Sequence, residues 1–343
     1  MAGIKLRDVA QSAGVSLATA SMALSGKGRI SAEVRRKVVA TAGQLGYKSR
    51  NINSRSSTRR ICPVGIIHLD DRGFEWNFIR PILLELELAM HREGYAPIIV
   101  PVGAMEGTEE ALRLIDACEL CAVFSVQHSD ERLFEELEKR GTLLVIVNNS
   151  NFQDRYYSVC VDDFQGAYEG ALYLISLGHR SIAFVEYERP DMPVLIADRF
   201  VGFRKALEEN RLSFPPDQRI TIPFMDEKKL LWKLEPLFSR PERPTAIFAH
   251  DDYLGLYVIQ ALAELGLRVP GDVSLIAPGD VLDYSLPGVP KITTMRINTT
   301  LLGRTAASVM LERFRNDHQD VHVLKVKEQL VKRDSCASIG EVG

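Results

Sequence analysis

Two sets of residues have the types and spacing to do chemistry. The first is cationic. Residues 1–60 carry twelve basic side chains (Lys5, Arg7, Lys27, Arg29, Arg35, Arg36, Lys37, Lys48, Arg50, Arg55, Arg59 and Arg60) against Asp8 and Glu33, a net charge of +10. The rest holds 30 basic and 43 acidic residues, a net of −13. A basic head on an acidic body meets a polyanion with its head, and every phosphate it neutralises releases counterions, so binding weakens with salt. The second set is mixed polar and aromatic. Asp70 and Trp76, Asn148 and Asn149, Glu186, His250 to Asp252, and Gly279 to Asp283 each come after a short apolar run. If those runs are parallel strands, such residues line the crevice beyond their carboxyl ends, where α/β sheets bind ligands.

Other chemistries find no support. There is no GxSxG, Walker loop or GxGxxG, and acidic pairs at strand ends do not make a catalytic site, so no enzyme and no cofactor are expected. Cys118-x-x-Cys121 has no second such pair and no nearby His pair, so no metal is expected and both cysteines read as turn and core residues. Five sparse cysteines fit reduced cytosolic thiols. No run approaches the roughly 18 apolar residues of a membrane helix. No apolar stretch follows Lys5 and Arg7 to make a secretory signal. The expectation is a cytoplasmic protein without a membrane partner.

The elements that must position these residues follow from periodicity. A chain of 343 residues, 46% apolar and 25% charged, is an ordinary globular protein of two or three domains. Leu6, Val9, Ala10 and Ala13 make one short helical stripe, Gly14 breaks it, and Ser16 stands as the N-cap of a second helix with Ala20, Ala23 and Leu24 inward. Two short helices around a tight turn are either an ordinary helical hairpin or a helix-turn-helix that lays its second helix in the DNA major groove. Ser31 caps a third helix with Val34, Val38, Ala42 and Leu45 on its inner stripe, ended by Gly46. Residues 48–60, KSRNINSRSSTRR, are polar, basic and Ser-rich and read as a linker. From residue 61 strand-like runs (64–69, 96–102, 122–126, 143–147, 181–185, 245–249, 273–277) alternate with helix patterns, which means βαβ units and covered parallel sheets.

With these elements in place, the sequence resembles the LacI/GalR family of bacterial transcription regulators. The resemblance rests on LRDVAQSAGVSLATASMAL (6–24), AGQLGY (42–47), LGHRSIAFV (177–185), DRFVGFRKAL (198–207), PTAIFAHDD (244–252), ALAELGLRVPGDVSL (261–275) and KITTMRIN (291–298). It implies a small all-α helix-turn-helix head at 1–47 and a hinge at 48–60. It also implies an α/β body at 61–343, two-lobed like a periplasmic binding protein, with parallel doubly wound sheets. The expected lobes are 61–161 with 291–322, and 162–290 with 323–343, joined by three crossovers. The implied function is a repressor, a homodimer on a double-stranded DNA operator, gated by a sugar-like small molecule in the cleft. The competing reading is a solute-binding receptor with no role on DNA, which the basic head and missing signal oppose.

The resemblance assigns residues to roles. Ser16, Thr19, Ser21, Ser25 and Ser31 take the phosphate-touching positions, and Leu17, Ala18 and Met22 the base-reading face. Met22 stands where the family usually has Arg, so it presses on a thymine methyl or packs in the head. The hinge lacks the family's Pro and its minor-groove Leu wedge. Its region reads Ser54-Arg55-Ser56-Ser57, so weaker central kinking is expected, with Arg55 left to enter a narrow minor groove. In the cleft Arg199 takes the effector-gripping position, beside Asp251 and Asp252, one expected to cap the next helix and the other to face the ligand. Asn148 and Asn149 replace an Asp-Arg pair, and Pro278-Gly279-Asp280 loses the first of two usual Asp residues. Asp70, Trp76, Phe164 and Asp280 complete the expected effector set. Trp76, Phe78 and Phe164 either stack on the ligand or belong to the core.

Overall fold

The computed structural model describes residues 5–25, 31–45, 62–69, 76–102, 107–188, 198–224, 226–316 and 322–340. The chain divides into two compact units, Met1–Ile61 and Cys62–Gly343. The linker, Arg55 and Asp70 lie outside the described residues, as does the side chain of Ser25.

In the first unit, α1 (Leu6–Ala13), α2 (Leu17–Ser25) and α3 (Ala32–Leu45) close on a core of Val9, Ala10, Ala13, Ala20, Ala23, Val38 and Ala42. Gly14 ends α1 at φ +66°, a left-handed conformation that favours glycine. The Ser16 hydroxyl accepts from the Thr19 amide at 3.0 Å, and that of Ser31 from the Val34 amide at 3.3 Å. Small residues in this core let three short helices approach closely, at the cost of little buried area.

The second unit has two lobes. One is built on β1 (Pro63–Leu69), α4 (Trp76–Arg92), β2 (Ala96–Val102), α5 (Gly107–Ala117), β3 (Ala122–Val126), α6 (Glu131–Arg140), β4 (Leu143–Val147) and β5 (Tyr157–Val161). The other contains α7 (Asp163–Ser176), β6 (Ile182–Tyr187), α8 (Asp198–Glu209), β7 (Arg219–Ile222), α9 (Glu227–Phe238), β8 (Ala246–Ala249), α10 (Asp252–Glu264) and β9 (Ser274–Ile276). The chain then runs through β10 (Thr294–Arg296), α11 (Thr299–Arg315), β11 (Val323–Val326) and β12 (Gln329–Val331).

The first sheet is parallel, in the order β11-β5-β4-β3-β1-β2, and the second is parallel, β7-β6-β8-β9. Helices α4 and α11 cover one face of the first sheet over Ile66, Phe124 and Val145; α5 and α6 cover the other over Ile67, Val123 and Ile146. The second sheet is sandwiched likewise, α9 and α10 on one side and α7 and α8 on the other. Continuous apolar runs such as LLVIV are what strands buried on both faces require.

Two expectations need correction. The lobe boundary lies elsewhere at the end of the chain: β11 joins the first sheet, while β10 and β12 pair with each other and bridge to the second sheet through Thr293 and Arg296. Three crossovers therefore fall after β5, after β10 and between β11 and β12. Nor are all the thiols free. Cys62 and Cys121 form a disulfide, Cα–Cα 6.2 Å, because β1 and β3 run side by side and bring together the residues just before them. Cys118 packs in the cluster on the other face of the sheet from the one Cys121 joins, which separates the C-x-x-C pair. Cys118, Cys160 and Cys336 stay unpaired.

Candidate functional site

A cavity of about 330 Å³ opens between the two lobes of the second unit. Its walls are the carboxyl ends of the parallel strands and the helix starts that follow them. Gln127 comes directly after β3, Asn148 and Asn149 after β4, His250 and Asp251 after β8, and Pro278 and Gly279 shortly after β9. Asn148 sits at φ +54° and Gln127 at φ +52°. Backbone in the left-handed region turns each chain sharply off its strand, a conformation Asn accepts better than most residues.

Arg199, in the first turn of α8, is the organising cation. Its Nε donates to Asp163 Oδ1 at 2.7 Å and its Nη1 to the His250 carbonyl at 2.6 Å, and its side chain is only 15% exposed. It thus ties the starts of α7 and α8 to the end of β8. Lys325 on β11 reaches from the first lobe to Asp198 at 3.3 Å and Asp162 at 3.9 Å. Asn77 Nδ2 on α4 donates to the Tyr253 hydroxyl on α10 at 3.2 Å, a second contact between lobes.

Asp251 and Asp252 both line the cavity. Asp251 Oδ1 caps α10 by accepting from Leu254 at 2.8 Å. Asp252 Oδ2 accepts from the Val281 and Leu282 amides, fastening the 278–283 loop to the helix. Gly279 makes room for that carboxylate: a Cβ there would lie 2.7 Å from Asp252 Oδ1. Burial pushes the Asp252 carboxyl up to about 6, against the pull of the two amides.

This shift has a sign. A folded value above the unfolded one near 3.9 stabilises the protein below pH 4, and the contribution is lost as pH rises through 6. Asp252→Asn keeps an acceptor for both amides and removes the buried charge. The variant is expected to be more stable than the parent by roughly 1–3 kcal/mol at pH 8, with the difference vanishing near pH 4, in urea melts followed by circular dichroism.

The expected effector residues divide. Asn148, Asn149, Arg199 and Asp251 line the cavity; Trp76, Phe164 and Asp280 do not. Asp280 is instead clamped by Arg296 and Arg333, which pin the loop after β9 to β10 and to the segment after β12. Trp76 is 48% exposed at the start of α4, its ring 6.4 Å from that of His68, while Phe78, two residues further, lines the cavity. Phe164 lies on α7 parallel to Tyr168, with its backbone carbonyl against Gly202 of α8. Gln127, Gln153, Asp163, Asp198 and Lys325 were not anticipated. Gln127 follows a strand run directly, so the rule that found Asn148 points to it too. Lys325 lies on a strand whose apolar signal is too short to read. Gln127 Oε1 is buried without a protein partner.

In the first unit the outer face of α2 is open. Leu17 is 51% and Met22 39% exposed, and Ala18 is exposed beside them. Met22 therefore does not fill the head's core. Ser16, Thr19, Ser21 and Ser31 sit at or near the starts of α2 and α3, where hydroxyls and free amides suit anions.

These features have counterparts among known proteins. Residues 5–51 match the bacterial regulatory proteins of the lacI family, and residues 171–336 match the periplasmic-binding-protein-like domain. The chain thus joins a lacI-family DNA-binding domain to a periplasmic-binding-protein-like domain and is a DNA-binding transcriptional regulator. It is 27% identical over 336 residues to the HTH-type transcriptional repressor PurR of Shigella sonnei, covering 97% of this chain and 96% of that one. It is 25% identical over 338 residues to PurR of Pectobacterium atrosepticum, with the same coverage. Among solved structures, the transcriptional regulator CelR–cellobiose complex matches with TM-score 0.69 at 24% identity, covering 97% of this chain and 99% of that one. The lac repressor dimer bound to operator and the anti-inducer ONPF matches with TM-score 0.68 at 22% identity, covering 98% and 100%. These relatives are regulators and repressors rather than enzymes. No helix among the described residues is long and apolar enough to cross a membrane.

Proposed function

We propose that this regulator is a cytoplasmic repressor that binds a DNA operator as a homodimer, with its affinity set by a sugar or related polyol in the cleft of the second unit. The observation that carries the effector reading is the cavity wall, where the amides of Gln127, Asn148, Asn149 and Gln153 stand among carboxylates and Arg199. Amides both donate and accept and so suit hydroxyl groups. The similar CelR complex holds cellobiose, and a similar regulator from Enterococcus faecium, TM-score 0.65 at 22% identity with 80% of this chain and 98% of that one covered, holds ribose.

On DNA, Ser16, Thr19, Ser21, Ser25 and Ser31 contact phosphates, Leu17, Ala18 and Met22 meet base edges, and Arg55 enters the minor groove. The apolar reading face favours thymine methyls. Fluorescence anisotropy on the gene's own upstream DNA tests this. Affinity is expected to fall at least a hundredfold between 50 and 200 mM salt, as for proteins neutralising several phosphates. Binding that is absent or indifferent to salt would sink the reading.

The dimer reading draws on an apolar face around β2, the edge strand of the first sheet. Leu84 and Leu88 on α4, Ile99 on β2 and Leu114 on α5 are 48%, 37%, 45% and 39% exposed. Residues four apart share one side of a helix, and α4 and α5 flank β2 on opposite faces of the sheet. Leu84→Glu with Leu88→Glu is expected to yield monomers in sedimentation velocity and to weaken operator binding at least tenfold. A variant that stays dimeric places the interface elsewhere.

A further inference from the structure

The charge of the cleft narrows the ligand, on the reading that the cleft is the effector site. Among the described residues four carboxylates line it, Asp163, Asp198, Asp251 and Asp252, against two cations, Arg199 and Lys325. Both cations are engaged: Arg199 with Asp163 and the His250 carbonyl, Lys325 with Asp198 and Asp162. The helix starts are acidic too. Asp162 caps α7, Asp251 caps α10, and Asp198 is the first residue of α8, so the positive ends of three helix dipoles already face carboxylates of their own chain.

Directly behind this wall lies Glu328, at the crossover between β11 and β12. It is 7% exposed and stands close to Asp162, Asp163 and Arg199. Its carboxyl occupies the space a side chain at Gly166 of α7 would need. Burial holds the Glu328 carboxyl well above its ordinary range, with Arg199 pulling the other way. Even with Glu328 neutral, the wall keeps a surplus of two negative charges.

We propose that the cleft selects a polyol bearing a protonated amine and rejects phosphorylated or carboxylated ones. Among the described residues a phosphate entering here meets no uncommitted cation and finds three helix starts already taken, and it adds negative charge to an acidic, partly dry wall. An ammonium meets carboxylates at close range, and charge-assisted hydrogen bonds of this kind are about twice as strong as neutral ones.

The test is a thermal-shift screen of the full chain at pH 7, with hexoses and pentoses each as neutral sugar, amino sugar and sugar phosphate, followed by calorimetry on every scaffold that responds. The expected result is that an amino sugar binds at least tenfold more tightly than its neutral parent and that the phosphate gives no shift. Asp251→Asn keeps the helix cap and removes one charge, and it is expected to shrink the ratio of amine to neutral-sugar affinity severalfold. A sugar phosphate that binds, or an amine no better than its parent, overturns the inference and leaves the polyol cleft standing. Failure of the whole panel overturns both.

Discussion

Arg199→Ala is expected to destabilise the second unit by about 3 kcal/mol at pH 8, read from urea unfolding, because removing one partner of a buried ion pair strands the other. The guanidinium does three things at once. It neutralises Asp163 at 2.7 Å, satisfies the His250 carbonyl at 2.6 Å, and offsets the charge of buried Glu328. Asp163 is 34% exposed on its side chain, so water recovers part of its loss and holds the cost near the lower end of the range for buried pairs. The effect should depend on pH with a definite sign. Without Arg199 the buried carboxyl of Glu328 protonates more readily, so the deficit narrows as pH falls. Arg199→Met combined with Asp163→Leu removes both charges and should recover much of the stability. A loss under about 1 kcal/mol at pH 8, with no pH dependence, would show that the pair is solvated and not structural.

The second large effect belongs to Gly202. Helices α7 and α8 meet there so closely that a Cβ would lie 2.1 Å from the carbonyl oxygen of Phe164 and 2.9 Å from its carbon. The obstacle is backbone, so no rotamer change relieves it. Gly202→Ala must push the helices apart or bend one of them, at an expected 2–3 kcal/mol, the upper range for overpacking. The damage reaches the cleft, since Asp163 precedes Phe164 directly and Arg199 stands one turn before Gly202. Ligand-induced stabilisation should therefore fall with the melting temperature. Gly141→Ala is the control: nothing lies within 4 Å of its Cβ position, so only the left-handed backbone at φ +70° resists the change.

The residues explain why parts of the molecule were legible in the sequence and parts were not. The head read clearly because its stripe of small apolar residues has one period, and Val9, Ala10, Ala13, Ala20 and Ala23 are the residues that close its core. AVFSV and LLVIV read clearly because strands buried on both faces must be apolar throughout. YSVCV, RITI and VLKV carry tyrosine, serine, threonine or charge in short runs, and they become β5, β7 and β11 only because longer neighbours offer them a ladder. In the site, Asn148, Asn149 and Asp251 were found because they follow strong strands. Asp280 was misplaced because its partners Arg296 and Arg333 lie 16 and 53 residues away, and nothing local in PGDVLD announces that ion pair. Asp163 and Lys325 were missed because each belongs to an element whose role depends on the lobe across the cleft.

The closing segment of the chain has a consequence for how the protein is made. Residues 323–326 supply the edge strand of the first sheet opposite β2, and residues 329–331 pair with β10. Beyond them Ser335 accepts from Thr293 and donates to Leu275, while Ala337 receives the buried His179 and the Ser274 hydroxyl. One stretch of about twenty residues, the last to leave the ribosome among those described, thus completes both lobes. Domains generally fold as units in the order in which they emerge. These two lobes instead share this piece, so the sheet faces that Val326 and that Leu330 and Cys336 pack against stay incomplete until residues 323–337 have emerged.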